Sequence, residues 1–198
     1  MSRMPVEERR AQLIDAGLRI AARDGVEAVT IRGVAAEAGA SLGVVHYCFA
    51  DKDDLLVAMG LSMALVSSDP VRDALLAAPD IYALAHAGAD GLLEGLLARR
   101  HMRLLTFEFA TTGARNRALR PVAQTHLDQT WTMTYDILDR IREIAGVTYD
   151  IPLDRLARNV AAWIDGVELS WLVEQDDDAA RVAFHDIADY VVSLAVKK

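Results

Sequence analysis

Residues 30–49 read TIRGVAAEAGASLGVVHYCF. Ile31, Val34, Ala35 and Ala38 are spaced for one helical face, and Thr30 precedes them, so a short helix over 31–38 with Thr30 as its N-cap is predicted. Gly39 fits the positive-φ position that ends such a helix. Ser41 is placed to cap a second short helix over 42–48. Val45 and Phe49, four apart, share a face that pins this second helix to a core. Ala35 and Ala38 are small enough for the two helices to approach closely. Two short helices joined by a tight glycine turn form a helix-turn-helix. With Val45 and Phe49 inward, Ser41, Leu42, Gly43 and Val44 turn outward, flanked by His46 and Tyr47. Where such a motif serves DNA, its second helix enters the major groove with the N-terminal end nearest the bases. Leu42 or Val44 then meets a thymine methyl, and Gly43 lets the backbone approach. Tyr47, His46, Lys52, Arg32 and the helix N-terminus at Thr30 reach for phosphates. Taken alone, the pattern leaves a purely structural helix pair open.

The rest of the chain sets limits on that reading. Its 198 residues suffice for one large domain, or for a small one joined to a larger. Apolar residues make up 53% and aromatic residues only 6%; Ala, Leu and Val dominate, which favours helix over strand. No run approaches the ~18 apolar residues of a membrane span. MSRMPVEERR has no apolar core of a secretory signal. Cys48 is the single cysteine, so no internal disulfide is possible and a cytoplasmic location is expected. A net charge of −8 argues against a protein that coats nucleic acid generally. Residues 1–66 carry seven lysines and arginines against nine acids, so DNA binding requires a local basic patch.

Nearly everything reads as helix. Residues 7–24 place Leu13, Gly17 and Ile20 with Ile14, Leu18 and Ala21 on one broad face, and Gly25 ends the run. Asp51 is expected to cap a fourth helix, with Asp54 in its first turn. SSDP at 67–70 and AAPD at 77–80 mark breaks. Helices are then expected over 81–98, 100–112, 117–145, 153–174 and 179–195, with TTGARN (111–116) and AGVTYDIP (145–152) as connections. The fold class predicted is all-α.

Chemical motifs are sparse. His46 and Cys48, two apart on a helix, do not face the same way, and Cys48 reads as small-residue packing. His86, His101, His126 and His185 lie at no metal-ligand spacing, and His86 with Asp90 reads as a polar pair. Asp176, Asp177 and Asp178 read as a helix N-terminus rather than a cation site. There is no GxSxG, P-loop, HExxH or CxxC, so neither an enzyme nor a cofactor is expected. A helical body with enzymatic or ligand-carrying activity is the alternative function.

The longer segment RAQLIDAGLRIAARDGVEAVTIRGVAAEAGASLGVVHYCFADKDDLL (10–56) resembles, without a gap, the N-terminal DNA-binding domain of the tetracycline-repressor (TetR) family. The resemblance is carried by Arg10, Gly25, Thr30, Val34-Ala35, Ala38-Gly39, Ser41, Gly43, Tyr47-x-Phe49 and Lys52-x-x-Leu55; departures fall at Ala21, Gly33, His46 and Cys48. It implies a homodimeric repressor with a helix-turn-helix domain over 1–50, a linking helix over 51–66, and an antiparallel helical effector-binding and dimerisation domain over 67–198. The expected partners are double-stranded operator DNA of pseudo-palindromic sequence, a small-molecule effector and a second copy of the chain, with no membrane. The central helices would enclose the effector, which makes His86, Met102, Phe107, Trp131, Tyr135 and Trp163 candidates. The last two helices would dimerise. Leu156, Val160, Val167 and Trp171, with Phe184, Ile187 and Val191, form apolar rows there, which internal packing explains equally.

Overall fold

The computed structural model describes residues 5–63 and 80–197, and the break read at 67–70 lies outside them. The described elements run α1 (Val6–Asp24), a 3-10 turn (Val26–Ala28), α2 (Ile31–Glu37), α3 (Leu42–Cys48), α4 (Lys52–Met63), α5 (Ile81–Ala98), α6 (Arg100–Arg115), α7 (Arg120–Ala145), β1 (Val147–Tyr149), α8 (Leu153–Glu174), α9 (Asp177–Ser193) and β2 (Ala195–Lys197). Among the described residues the fold is all-α apart from one two-stranded ribbon. The chain divides into two compact units: Met1–Val66 with His101–His126, and Ser67–Arg100 with Leu127–Lys198.

The first unit packs α1 against α2, α3 and α4. Leu13, Ala16 and Ile20 of α1, Val34 of α2, Val45 and Phe49 at α3, and Leu55 and Met59 of α4 share one buried core with Leu105 and Phe109 of α6. Several caps follow the sequence. Thr30 accepts a hydrogen bond from the Gly33 N–H at 3.0 Å. Asp51 accepts from Asp54 N, and the Asp54 carboxylate accepts in turn from Ala50 N, a reciprocal box that fixes the start of α4. The Ser41 side chain makes no capping bond, contrary to expectation. Instead its backbone carbonyl takes the N–H groups of Val44 and Val45, and the residue stays exposed.

Gly113 corrects the reading of 111–116 as a connection, because α6 continues to Arg115. This glycine is there for proximity, not for a turn: a Cβ would stand 2.6 Å from Ala123 Cβ and 3.0 Å from the Leu119 carbonyl oxygen. Gly113→Ala is expected to destabilise the chain by about 1–3 kcal/mol, because overpacking against backbone outweighs the helix-propensity gain. Gly95→Ala, where a Cβ meets nothing within 4 Å, is expected to stabilise by up to about 1 kcal/mol. Urea midpoints of the two variants should move in opposite directions; movement in the same direction refutes the packing account.

In the second unit α9 packs on α5 and α8. Leu84 of α5 meets Ile141 of α7, with Ile81, Leu92 and Ile137 around them. Asp80 caps α5 through Ala83 N, and Asp176 caps α9 through Ala179 N, while the Asp177 carboxylate accepts from Trp171 Nε1 at 2.7 Å. The acidic run is thus a helix start, and α9 begins two residues earlier than expected.

The segment 145–152, read as a connection, holds β1, which pairs antiparallel with β2 through Val147 with Lys197, Thr148 with Val196 and Tyr149 with Ala195. The Tyr149 hydroxyl donates to the Leu138 carbonyl at 3.0 Å, and desolvation by burial pushes its pKa from 10.0 up to about 12. The fold therefore favours the neutral phenol. The stability this gives is full below the unfolded pKa near 10 and is lost as pH rises toward 12. Relative to Tyr149→Phe, the wild type is expected to lose stability only between those two values. An equal loss in the variant excludes Tyr149 as the cause.

Candidate nucleic-acid interface

The turn between α2 and α3 closes with glycine in the left-handed region. Gly39 has φ 62°; the Ala40 N–H donates to the Ala35 carbonyl at 2.9 Å and the Gly39 N–H to Ala36 at 3.1 Å. This is the Schellman arrangement, and it fixes the direction in which α3 leaves α2. Gln12 of α1 donates to the Ala38 carbonyl, which ties α1 to the same turn. At the far end of α3, Arg10 donates to the Cys48 carbonyl and its guanidinium lies 4.3 Å from the Phe49 ring centre. A cation there also complements the negative C-terminal end of the helix dipole.

α3 is thereby held on one side only. Val45 and Phe49 are 0% and 1% exposed, whereas Tyr47 is 68% exposed. Ser41, Leu42, Gly43, His46 and Tyr47 form the outer face, with Val44 half-buried beside them. Arg32 and Thr30 are exposed at the start of α2. Lys52 differs from its expected exposure: it is half-buried, and its ammonium donates to the Glu27 carbonyl at 2.9 Å. That bond uses one of three protons and leaves two for another acceptor. Nearby positive charge is partly neutralised, since Arg19 and Arg23 reach the Glu37 carboxylate at 3.0 and 3.6 Å. Hydrogen bonding from Arg19 lowers the Glu37 pKa despite some desolvation.

Other contacts carried no sequence signal. The Glu108 carboxylate of α6 accepts from Val26 N at 2.7 Å, and Asn116 Nδ2 donates to Asp53 Oδ1 at 2.9 Å. Both span long stretches of sequence, so neither spacing nor propensity announces them. They fasten α6 and the loop after it to the 3-10 turn and to α4. Between those elements lies an open cleft of about 910 Å³, lined among others by Lys52, Asp53, Thr111, Thr112, Arg115 and Arg117. None of the six effector candidates lines it.

Those six fall in different surroundings. Met102 packs on the first unit's core, and Phe107 lies under the Arg103 guanidinium at 4.9 Å. In the second unit Arg158 sits 4.0 Å over the Trp131 ring, and Tyr135 is 39% exposed one turn on. Trp163 meets the ring of Tyr190 edge-on at 4.8 Å. His86 does not pair with Asp90: it bonds to His185 and Asp189, and His185 takes Asp90.

Five of the seven dimerisation candidates are filled from within. Leu156, Val160, Trp171, Phe184 and Val191 are at most 5% exposed in the single chain, packed by the protomer itself. The apolar period marked the inward face of α8 and α9. Val167 and Ile187 are half-buried, and the outward apolar positions on these helices include Leu169, Val173 and Val182.

A short α3 anchored on one side, with its other side outward beyond a glycine turn, defines the recognition element of a sequence-specific helix-turn-helix transcriptional regulator. The model for bacterial regulatory proteins of the tetR family matches residues 13–59. Over 96% of the chain and 95% of that protein, the sequence is 31% identical to the HTH-type nicotine-responsive transcriptional repressor HdnoR of Paenarthrobacter nicotinovorans. The chain belongs to the TetR family. The multidrug binding protein EbrR complexed with ethidium superposes with TM-score 0.65 at 28% identity, over 91% of this chain and 98% of that one. A TetR transcription regulator from Haloarcula marismortui superposes with TM-score 0.77 at 19% identity, over 96% of this chain and all of that one, and shares the fold. No described helix is long and apolar enough to cross a membrane.

Proposed function

We propose that the chain is a homodimeric repressor that leaves its operator when a small organic molecule binds. The whole-length relation to a repressor that responds to nicotine carries this reading. In it, residues 1–50 engage the operator through Thr30, Arg32, Ser41, Leu42, Gly43, Val44, His46, Tyr47 and Lys52. Residues 51–66 link this domain to the effector-binding and dimerisation part. A two-fold dimer sets two α3 helices about 34–36 Å apart, one turn of a pseudo-palindromic duplex. The partner surface we assign is the outward face of α8 and α9, at Leu169, Val173 and Val182 with Val167 and Ile187. The inward rows are already occupied by the protomer's own packing.

The effector class we infer is an organic cation that carries an aromatic ring. HdnoR is named for nicotine, and EbrR is described with ethidium and with proflavin. Trp131 and Tyr135 are the rings best suited to it. The Trp131 face already carries the Arg158 guanidinium, and a cationic ligand exploits the same quadrupole attraction. Effector binding changes operator affinity only as far as the ligand prefers one conformer over the other.

The test is operator selection from a random duplex pool with the purified chain, then titration of the selected duplex with nicotine, ethidium and proflavin. A palindromic site whose complex dissociates with at least one of these cations is expected. If no sequence is enriched at low salt, the operator reading fails. If a site is enriched and none of the three cations weakens the complex, the effector class fails while the operator reading stands.

A further inference from the structure

α5 and α9 are joined by an unbranched polar chain: Asp189, His86, His185, Asp90. Asp189 Oδ1 lies 2.8 Å from His86 Nε2, His86 Nδ1 lies 2.7 Å from His185 Nδ1, and His185 Nε2 lies 2.9 Å from Asp90 Oδ1. The side chains of His86 and His185 are 14% and 32% exposed, so water competes only in part. The Tyr82 ring stacks on His86 with centroids 4.1 Å apart.

Counting protons constrains the pair. A carboxylate only accepts, so each Nε2 must carry N–H, and the Nδ1 gap needs one N–H facing one lone pair. Three gaps require three ring protons, whereas two neutral imidazoles bring two. With two, one gap sets lone pair against lone pair. With four, two N–H groups face each other at 2.7 Å. Only the singly charged pair satisfies every contact.

We propose that His86 and His185 form a proton-binding site that holds a single proton between their Nδ1 atoms and so clasps α5 to α9. Proton uptake here adds one charge and completes one hydrogen bond. A metal is a poorer occupant. Zinc–nitrogen bonds of about 2.0–2.1 Å would force an N–Zn–N angle far below tetrahedral at this separation. Among the described residues no three His, Cys, Asp or Glu side chains are disposed to hold a metal ion.

Other charged groups lie on the helices packed here. α5 contributes Tyr82, Asp90 and, a turn on, Glu94. α9 contributes Asp189, with Arg181 one turn before His185 and Asp186 beside it, both exposed. α8 meets α9 through Trp163 on Tyr190, and its Arg158 is engaged with Trp131. α7 meets α5 through Ile141 on Leu84, and its Asp139 and Arg142 pair with each other.

The experiment is long-range proton–nitrogen NMR of the imidazoles in the full chain from pH 5 to 9, with thermal midpoints of wild type, His86→Gln and His185→Gln. Two rings with both Nε2 protonated and one proton shared at Nδ1 are expected at intermediate pH. The wild-type midpoint advantage over either variant should peak there, falling by roughly 2–4 °C on both sides. Two independently titrating rings overturn the proposal, as does a midpoint advantage flat with pH. Displacement of the shared-proton signal by one equivalent of Zn²⁺, reversed by chelation, overturns it in favour of a metal site. The wild-type spectra decide the matter even if neither variant folds.

Discussion

Phe49→Ala is expected to remove about 3–5 kcal/mol of stability, the usual cost of emptying a buried phenylalanine site. Phe49 is 1% exposed and sits where α1, α3 and α4 share one core, with the Arg10 guanidinium over its ring. Truncation leaves a cavity and strips that cation of its aromatic partner. Set against a total of about 5–15 kcal/mol for a native protein, the loss leaves the variant marginal. The urea midpoint should fall sharply, and DNA binding should fall with it, because α3 loses its floor. A midpoint close to wild type shows that Phe49 is not the residue that seats α3.

Tyr47→Ala, two residues earlier, is expected to do the reverse. The side chain is 68% exposed, so the unfolding midpoint should stay within experimental scatter of wild type. Operator affinity should drop. A hydroxyl donating to a phosphate is a hydrogen bond to a charged group, about 1.5–3 kcal/mol, or roughly 10- to 150-fold in Kd. The tyrosine is uncharged, so the salt dependence of binding should keep its slope while the affinity shifts. Tyr47→Phe should retain most of the stability and lose the hydrogen bond, separating the hydroxyl from the ring. An affinity within twofold of wild type for Tyr47→Ala places the phosphate contact elsewhere, with Arg32 the next position to vary.

The two variants separate what was legible from what was not. Helices α1 to α4 follow their sequence because their signals are local: an apolar face repeating every three or four residues, Thr30 and Asp51 as caps, Gly39 where φ must be positive. Glycine at 113 misled because the same residue serves both turns and close contacts, and only the presence of Ala123 and Leu119 beside it decides between them. The apolar rows of α8 and α9 revealed that each helix has a buried face. They carried no information on whether the burying surface belongs to the same chain. The pairing of His86 with His185 joins residues 99 positions apart, and no spacing rule reaches that far.

By itself the sequence determined the all-α class, the helix-turn-helix and the outward face of α3, because each depends on chain stiffness, periodicity and capping within a few residues. Tertiary structure alone decided what lies across from each face. It turned Lys52 onto the Glu27 carbonyl, fastened Glu108 to Val26, and filled the rows at Leu156 and Phe184 from within the protomer. It also brought four ionisable groups of α5 and α9 into one chain of hydrogen bonds. Such contacts arise when distant helices pack at a given depth and angle, and those are set by the whole core at once rather than by any short stretch of residues.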